Sequence, residues 1–460
     1  MSNHLKKTNS MKRYIYATVT ALLLSCGVAQ AQSQDVAKSL VQVENKSQDL
    51  KFTVGARFFG DVAYYHSEYT PMNSGAAITD ARIRTSLTYK KLYFYADFDF
   101  SKGIFKQKNI FVQYNFAQTM RGNHSLKAGY FNEPSSMSLN TSLYNYHFMS
   151  RPAPVNALAA PRSLGITYKF YNDRFFADQG FFSENKYNDQ LSGFQGISLS
   201  GRWLYRPVNN EDVTLHVGAS LRYGHINTGT PVGGDAFRTQ IEVQSALETA
   251  VDPTTRFLHA EVPWAKNTLN IGAEALIRTN RIFARGEYIY KKIYKERPDQ
   301  TLFENQLGGV WSWTTLESWQ NGNPIRTTNF SGAYVEAGWL ILGTRYQYDN
   351  EYGLLKGSNE KGALELVARY SYTELNDINK GDFFLIGKQV FYPGGVVADY
   401  PPVSTSIGGG NLHAVTVGLN YTFNQYIKVM GEYQFCRLNN VYFPNDKNFN
   451  MLQMRVMFSF

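Results

Sequence analysis

Arg82 and Arg84 stand two apart in "ITDARIRTSL", Arg202 and Arg206 fall in "ISLSGRWLYR", and Arg369 lies in "GALELVARYSYTELND". In each stretch the basic residues share their parity mainly with polar neighbours, while large apolar residues hold the other parity. The basic set on this pattern is Arg57, Arg82, Arg84, Lys127, Lys169, Arg202, Arg206, Arg222, Arg278, Arg285, Arg345, Arg369, Lys428 and Arg455. The acids on the same faces are Asp61, Asp80, Asp97, Asp99, Glu274, Glu287, Glu336, Glu365 and Glu432. Fourteen cations against nine carboxylates leave a surplus of the same sign as the whole-chain charge of +9. The chemistry open to such a set is electrostatic, since fixed guanidinium and ammonium groups attract and coordinate small anions. A single arginine can equally well brace a wall by pairing with a neighbouring carboxylate. The surplus therefore carries the expectation.

Covalent chemistry finds little support. The chain has only 8 His, and neither Gly-x-Ser-x-Gly nor His-Glu-x-x-His occurs. His216 falls on a polar face alone, without a nucleophile or orienting acid at motif spacing. Of the two cysteines, only Cys436 lies beyond the export segment described below, so a disulfide framework or a Cys-based metal site is not expected. No catalytic residue, metal or cofactor is expected.

The elements that hold these cations must be strands. "HAVTVGLNYTF" puts Val415, Val417, Leu419, Tyr421 and Phe423 on one face, with Thr416, Gly418, Asn420 and Thr422 on the other. The last ten residues, "MLQMRVMFSF", alternate in the same way up to Phe460. A period of two places successive side chains on opposite faces of a strand. More than a dozen such segments recur, with aromatics near their ends, while charged residues make up only 18% and aromatics 15%. No stretch after residue 31 approaches the ~20 apolar residues of a membrane helix. These features point to an all-β chain forming a transmembrane antiparallel barrel, every second residue meeting lipid. Short connections at Lys90-Lys91, Asn172-Asp173, 207–212, 279–281 and Asn424-Gln425 alternate with long ones. Taking 331–349 as one long strand keeps the short turns on the periplasmic side and gives about sixteen strands. That many strands enclose a wide, water-filled lumen unless something plugs it.

Met11-Lys12-Arg13, an apolar run and Ala29-Gln30-Ala31 read as an export leader, so residues 1–31 are set apart from the fold. Leu23-Leu24-Ser25-Cys26 offers lipidation at Cys26 as an alternative route, and Met11 an alternative start. Residues 32–50 would form a short periplasmic segment and 51–460 the barrel, in the outer membrane of a Gram-negative bacterium.

Across nearly the whole mature chain the sequence resembles the phosphate-selective porin O/P family. The resemblance rests on "LKAGYFNEPSSMSLNTS" (126–142), "GALELVARYSYTELND" (362–377), "GLNYTFNQYIKVMGEYQF" (418–435) and "ITDARIRTSL" (78–87). It implies a sixteen-stranded channel, often a homotrimer, with the third outer loop folded inward and arginines along the path. Within that loop "FMSRPAP" and "APRSLGI" align with basic positions of the family, so Arg151 and Arg162 become constriction candidates. Arg82 aligns with a lumenal arginine of strand two. Arg84, Lys127 and Arg369 complete the expected pore-lining, anion-binding set. The family usually carries two further basic residues where Thr79 and Asp80 stand, which favours an anion-tolerant pore over one specific for phosphate. The ending at Phe460 resembles the signal read by the barrel-assembly machinery.

The expected function is thus passive diffusion of small anions such as phosphate or polyphosphate. The expected partners are small anions, outer-membrane lipid and the assembly machinery, with no nucleic acid. Two alternatives are a structural or adhesive surface barrel, using loops such as "FYPGGVVADYPP" (391–402), and a membrane-embedded hydrolase.

Overall fold

The computed structural model describes residues 39–101, 103, 105–160, 162–184, 196–226, 230–232, 235–296, 315, 317–318, 327–378, 384–386, 389–392, 395–398 and 406–460. The expected leader over 1–31 and the side chains of 391–402 lie outside the described residues. Sixteen antiparallel strands close into a barrel. They are β1 (Leu50–Ser67), β2 (Gly75–Tyr89), β3 (Leu92–Asp99), β4 (Lys106–Thr119), β5 (Gly122–Asn132), β6 (Arg162–Tyr171), β7 (Phe175–Ser183) and β8 (Ile197–Asn209). The second half comprises β9 (Thr214–His225), β10 (Ala265–Arg278), β11 (Ile282–Lys295), β12 (Thr328–Leu342), β13 (Ala363–Asp377), β14 (Ser406–Thr422), β15 (Ile427–Asn439) and β16 (Asn448–Ser459). Each strand pairs with the next, and β16 returns to β1 with Arg57 opposite Ser459 and Ser67 opposite Phe449. Closure leaves no barrel edge unpaired, which the hydrocarbon core requires.

The two faces follow the alternation. On β14, Val415, Val417, Leu419 and Tyr421 are exposed, while Thr416, Asn420 and Thr422 are buried. On β16, Leu452, Met454 and Val456 face outward, with Gln453 and Arg455 buried inside. The exposed apolar side chains form the outward apolar face that a membrane-spanning barrel requires.

The lumen is far fuller than the strand count alone implies. From the outer side, the third outer loop turns inward over its described residues 133–160. It carries two short helices, α1 (Met137–Asn140) and α2 (Ala153–Leu158). Ser136 caps α1 by accepting the Leu139 amide at 3.1 Å, and Pro154 suits the first turn of α2. Gly332 on β12 lets α2 approach the wall, because a Cβ there would lie 2.5 Å from the Pro154 Cβ. The fifth outer connection also enters the barrel through its residues 241–264. With α2 and the inner wall it builds a core that includes Val155, Leu158, Leu247, Phe257, Ile293 and Phe330.

The periplasmic side differs from the sequence expectation. β12 ends at Leu342, not at 349, and the chain leaves the wall at Gly343. Residues 346–359 fold into the lumen, where Gln347–Asp349 pairs with Leu354–Lys356 as a small separate hairpin. Its Tyr346, Leu354 and Leu355 join Leu276, Phe283, Leu340 and the Met137 side chain of α1 in one buried cluster. The third outer loop and the periplasmic hairpin therefore meet inside the barrel. Arg345, expected in the lumen, is about half exposed at the periplasmic rim and pairs with Glu211 at 3.1 Å. Lys356, which read as a remote turn residue, sits on the inward hairpin and pairs with Asp349 at 3.1 Å.

Candidate functional site

Four wall acids on the β11–β15 side, Glu287, Glu336, Glu365 and Glu432, hold the third outer loop. The Glu287 carboxylate accepts the Ser136 hydroxyl at 3.0 Å and the Met137 and Ser138 amides at 2.5 and 3.0 Å. Glu432 accepts the Met149 amide at 2.6 Å, and Glu336 accepts the Tyr146 hydroxyl at 2.8 Å. Glu365 is 2.7 Å from His147 Nδ1. Wall donors complete the clamp: Asn420 to the His147 carbonyl at 2.8 Å, Arg455 to the Met149 carbonyl at 2.8 Å and Arg369 to the Ser150 carbonyl at 2.8 Å. Buried backbone groups of an inward loop need such partners, and polar strand faces supply them.

Three loop carboxylates that alternation could not reveal also enter the lumen. Glu133 of the third loop lies 2.8 Å from Arg222, and Glu248 of the fifth connection lies 2.5 Å from Arg369. Glu351, at the tip of the periplasmic hairpin, lies 2.6 Å from Lys169. Burial pushes the Glu351 carboxyl up, but the Lys169 ammonium and its hydrogen bonds outweigh that and leave it below the usual range. Several wall cations are thus structural. Arg202 makes a bidentate pair with Glu274 at 2.7 and 2.8 Å, and Arg206 donates to the Asn350 carbonyl of the hairpin at 2.8 Å.

Open space persists against strands β1–β6. A cavity of about 370 Å³ is bounded there by Arg57, Arg82, Lys106, Lys108, Lys127, Arg151 and Arg162, with Asp80, Asp97 and Asp99. Among the described residues, seven cations face three carboxylates, a surplus of four. A second cavity of about 260 Å³ continues towards the periplasmic end of the barrel, where Lys51 and Lys90 line it. Tyr93 and Tyr352 line both cavities and mark where they adjoin.

The cations in the first cavity are not equivalent. Arg82 is neutralised by Asp80 and Asp97, each at 2.8 Å, and Asp80 also takes Arg57 at 2.8 Å. Lys108 pairs with Asp99 at 3.1 Å. Lys127 sits 3.9 Å from Asp178, with its ammonium 4.1 Å from the Phe131 ring centroid. Arg151 has neutral partners instead: it donates to the carbonyls of Ser138 at 3.0 Å, Leu139 at 3.3 Å and Thr141 at 2.8 Å. Arg162 donates to Asn109 Oδ1 at 2.8 Å. No described carboxylate lies within ion-pair distance of Arg151 or Arg162. Burial, helped by the nearby guanidinium charges of Arg162, Arg82 and Arg57, lowers the Arg151 pKa to about 10, so the group stays charged at neutral pH.

Four residues expected from the sequence therefore come together: Arg82, Lys127, Arg151 and Arg162. Two do not line this cavity. Arg84 donates to the Phe460 backbone oxygen at 3.0 Å near the seam, and Arg369 is locked between Glu248 and Glu336 beneath the third loop. Lys106 and Lys108 escaped the sequence reading for a local reason. Ala96 pairs with Ile110 but Phe98 pairs with Gln107, so residues 108 and 109 oppose Asp97 alone. That bulge reverses the parity of β4 above it and aims two lysines inward from a face that otherwise meets lipid.

Comparison with known proteins agrees with this architecture. A family model described as phosphate-selective porin O and P matches residues 52–460. A curated relative from Caulobacter vibrioides, described as an uncharacterized protein, is 24% identical over 246 residues, covering 50% of this chain and 42% of the relative. The chain thus spans less than half the length of that relative. Among solved structures, the anion-selective porin from Comamonas acidovorans gives a TM-score of 0.50 at 11% identity, covering 89% of this chain and 100% of that one. The outer membrane channel DcaP of Acinetobacter baumannii gives 0.50 at 10% identity, covering 92% and 100%. At these identities both likenesses bear on the fold alone.

Proposed function

This chain belongs to the phosphate-selective porin O and P family and is a channel of the Gram-negative outer membrane, and on that premise we propose that it passes small anions in preference to cations. The observation that carries the reading is the pair Arg151 and Arg162. Among the described residues, these two guanidinium groups have no carboxylate partner and line a cavity where cations outnumber acids by seven to three. In a narrow, partly dry passage such groups attract anions more strongly than in bulk water, where a ~10 Å Debye length at 0.1 M salt screens them. The guanidinium also offers a fixed fork for phosphate or carboxylate. Phosphate is the proposed inorganic substrate. Asp80 within the path favours tolerance of several anions over strict phosphate discrimination.

The same reading makes the chain a channel rather than an enzyme, with a leader ending at Ala31, a barrel from residue 51 and a trimeric assembly formed with the help of the barrel-assembly machinery. Reversal potentials across a potassium chloride gradient, recorded from purified protein in a planar bilayer, test the anion preference. A chloride-over-potassium preference is expected. Cation selectivity would overturn the proposal.

A further inference from the structure

The cavity that holds the cations has a second lining that a bare oxyanion cannot use. Tyr93, Tyr95, Phe111 and Phe131 all border it. Tyr95 and Phe111 are cross-strand partners whose rings lie 5.4 Å apart at 27°. Phe111 continues the strip to Phe131 at 6.0 Å and to Tyr93 at 6.1 Å. The residue paired with Phe111 on β5 is Gly129, which has no side chain to cover the ring. Charge stands beside the strip, since the Lys127 ammonium lies 4.1 Å from the Phe131 centroid and 5.5 Å from that of Phe111.

The face of an aromatic ring carries negative electrostatic potential, so it gains nothing from phosphate or chloride. It does pack against a flat surface of C–H groups. The carboxylates Asp97 and Asp99 make the same point: they repel a bare anion but accept hydrogen bonds from hydroxyl groups. The amides of Asn109 and Asn140 border the same space and add neutral donors and acceptors. A volume of about 370 Å³ falls in the range of sites for small organic ligands.

We propose that the passage takes sugar-sized organic anions, a hydroxylated ring bearing a phosphate or carboxylate group, with the ring on the Tyr95–Phe111 strip and the anionic group towards Lys127, Arg151 and Arg162. This rests on the anion-passing reading above and names the substrate class of that same site. The rings hold the uncharged part of the solute while the cations hold the charged part. Phosphate alone engages only the second set.

The test is block of potassium chloride current through the full-length protein in planar bilayers, titrated with four probes: inorganic phosphate, glucose, glucose 6-phosphate and glucuronate. Glucose 6-phosphate is expected to half-block at about a tenth of the concentration needed with phosphate, a difference of the size ring contacts supply. Glucose should block weakly. Glucuronate separates the two sources of charge: block by it as well as by glucose 6-phosphate assigns the anionic group generally, and block by the phosphate ester alone narrows it to phosphate. Phe111→Leu and Tyr95→Leu keep apolar bulk but remove a ring. Each should raise the half-blocking concentration of glucose 6-phosphate about tenfold and leave that of phosphate unchanged. If one variant fails to give heat-modifiable barrels, the other carries the test. Equal block by phosphate and glucose 6-phosphate in the wild type overturns the proposal, as does an equal shift of both probes in the variants. A cation-selective wild type instead overturns the anion-passing reading beneath it, so the two failures are distinguishable.

Discussion

The Lys169 ammonium of β6 lies 2.6 Å from the Glu351 carboxylate, joining the barrel wall to the tip of a hairpin that enters from the periplasmic side. Lys169 is 1% exposed, so its ammonium cannot reach water without moving the hairpin, whereas Glu351, 12% exposed, borders the second cavity. Lys169→Met should therefore destabilise hairpin docking by about 3–5 kcal/mol, the usual cost of stranding one member of a buried pair. The double variant Lys169→Met, Glu351→Gln should recover part of the loss. Because Tyr352 of the same hairpin lines both cavities, undocking should raise single-channel conductance, which is the measurement. An unchanged conductance in Lys169→Met would show that the hairpin does not bound the conducting path.

The same anchor has a pH sense. The folded pKa of Glu351 is depressed, so its contribution is present above its unfolded value and is lost as pH falls through the folded value. Acidification below the ordinary carboxylate range on the periplasmic side should release the hairpin and increase conductance. Glu351→Gln should show no such step, because its amide does not titrate. An identical acid response in that variant would assign the effect to other carboxylates.

Charge reversal separates local from diffuse electrostatics. Arg151→Glu should lower the chloride-to-potassium permeability ratio several-fold, about the effect of replacing an attraction by a repulsion in a confined passage. Arg345→Glu is the control, since Arg345 is exposed at the rim and already paired with Glu211. If the two reversals act equally, the preference belongs to the whole barrel and not to the cavity.

The third outer loop should behave as an internal wall. Deleting residues 140–158 removes α2, Arg151 and the segment clamped by Glu336, Glu365 and Glu432. Conductance should rise markedly and selectivity should fall in the same recordings. Unaltered conductance would place the loop outside the path.

The seam offers a steric test. The Ala56 amide donates to the Phe460 carbonyl at 3.1 Å and the Phe460 amide to the Ala56 carbonyl at 2.8 Å. A Cβ on Gly55 would lie 2.5 Å from that Phe460 oxygen. Gly55→Val should prevent closure at the periplasmic end and abolish heat-modifiable migration on gels, whereas Gly60→Ala, which meets nothing closer than 3.4 Å, should not.

How legible these features were depends on whether a residue belongs to the wall or to its contents. Val415 against Thr416 and Leu452 against Gln453 could be assigned a face because lipid and lumen impose a period of two. Arg82 and Lys127 followed from the same parity. Residues 343–349 misled because Tyr346 and Tyr348 alternate with Arg345 and Gln347 as a wall strand would. They do form a strand in part, but its apolar side is buried within the lumen instead of in lipid. Glu133, Glu248 and Glu351 lie in connections without periodicity, so nothing local signals that each reaches a wall cation. The cations read along the strands are unevenly balanced in space. Arg202, Arg285 and Arg369 are bound to Glu274, Glu336 and Glu248, and the surplus is concentrated beside β1–β6.

Arg455 bridges β16 to Asp61 of β1 at 2.7 Å across 394 residues of chain, and the same guanidinium holds the Met149 carbonyl of the third loop. Sealing the cylinder and fastening its contents are therefore one event in time. Until the final strand arrives, Asp61 lacks its partner and the loop lacks one of its fasteners. Contacts of such long sequence separation form late and slowly. A cylinder stalled before that moment is not a leaky version of the finished channel but a different object, with an unfastened interior and an Asp61 that lacks its guanidinium.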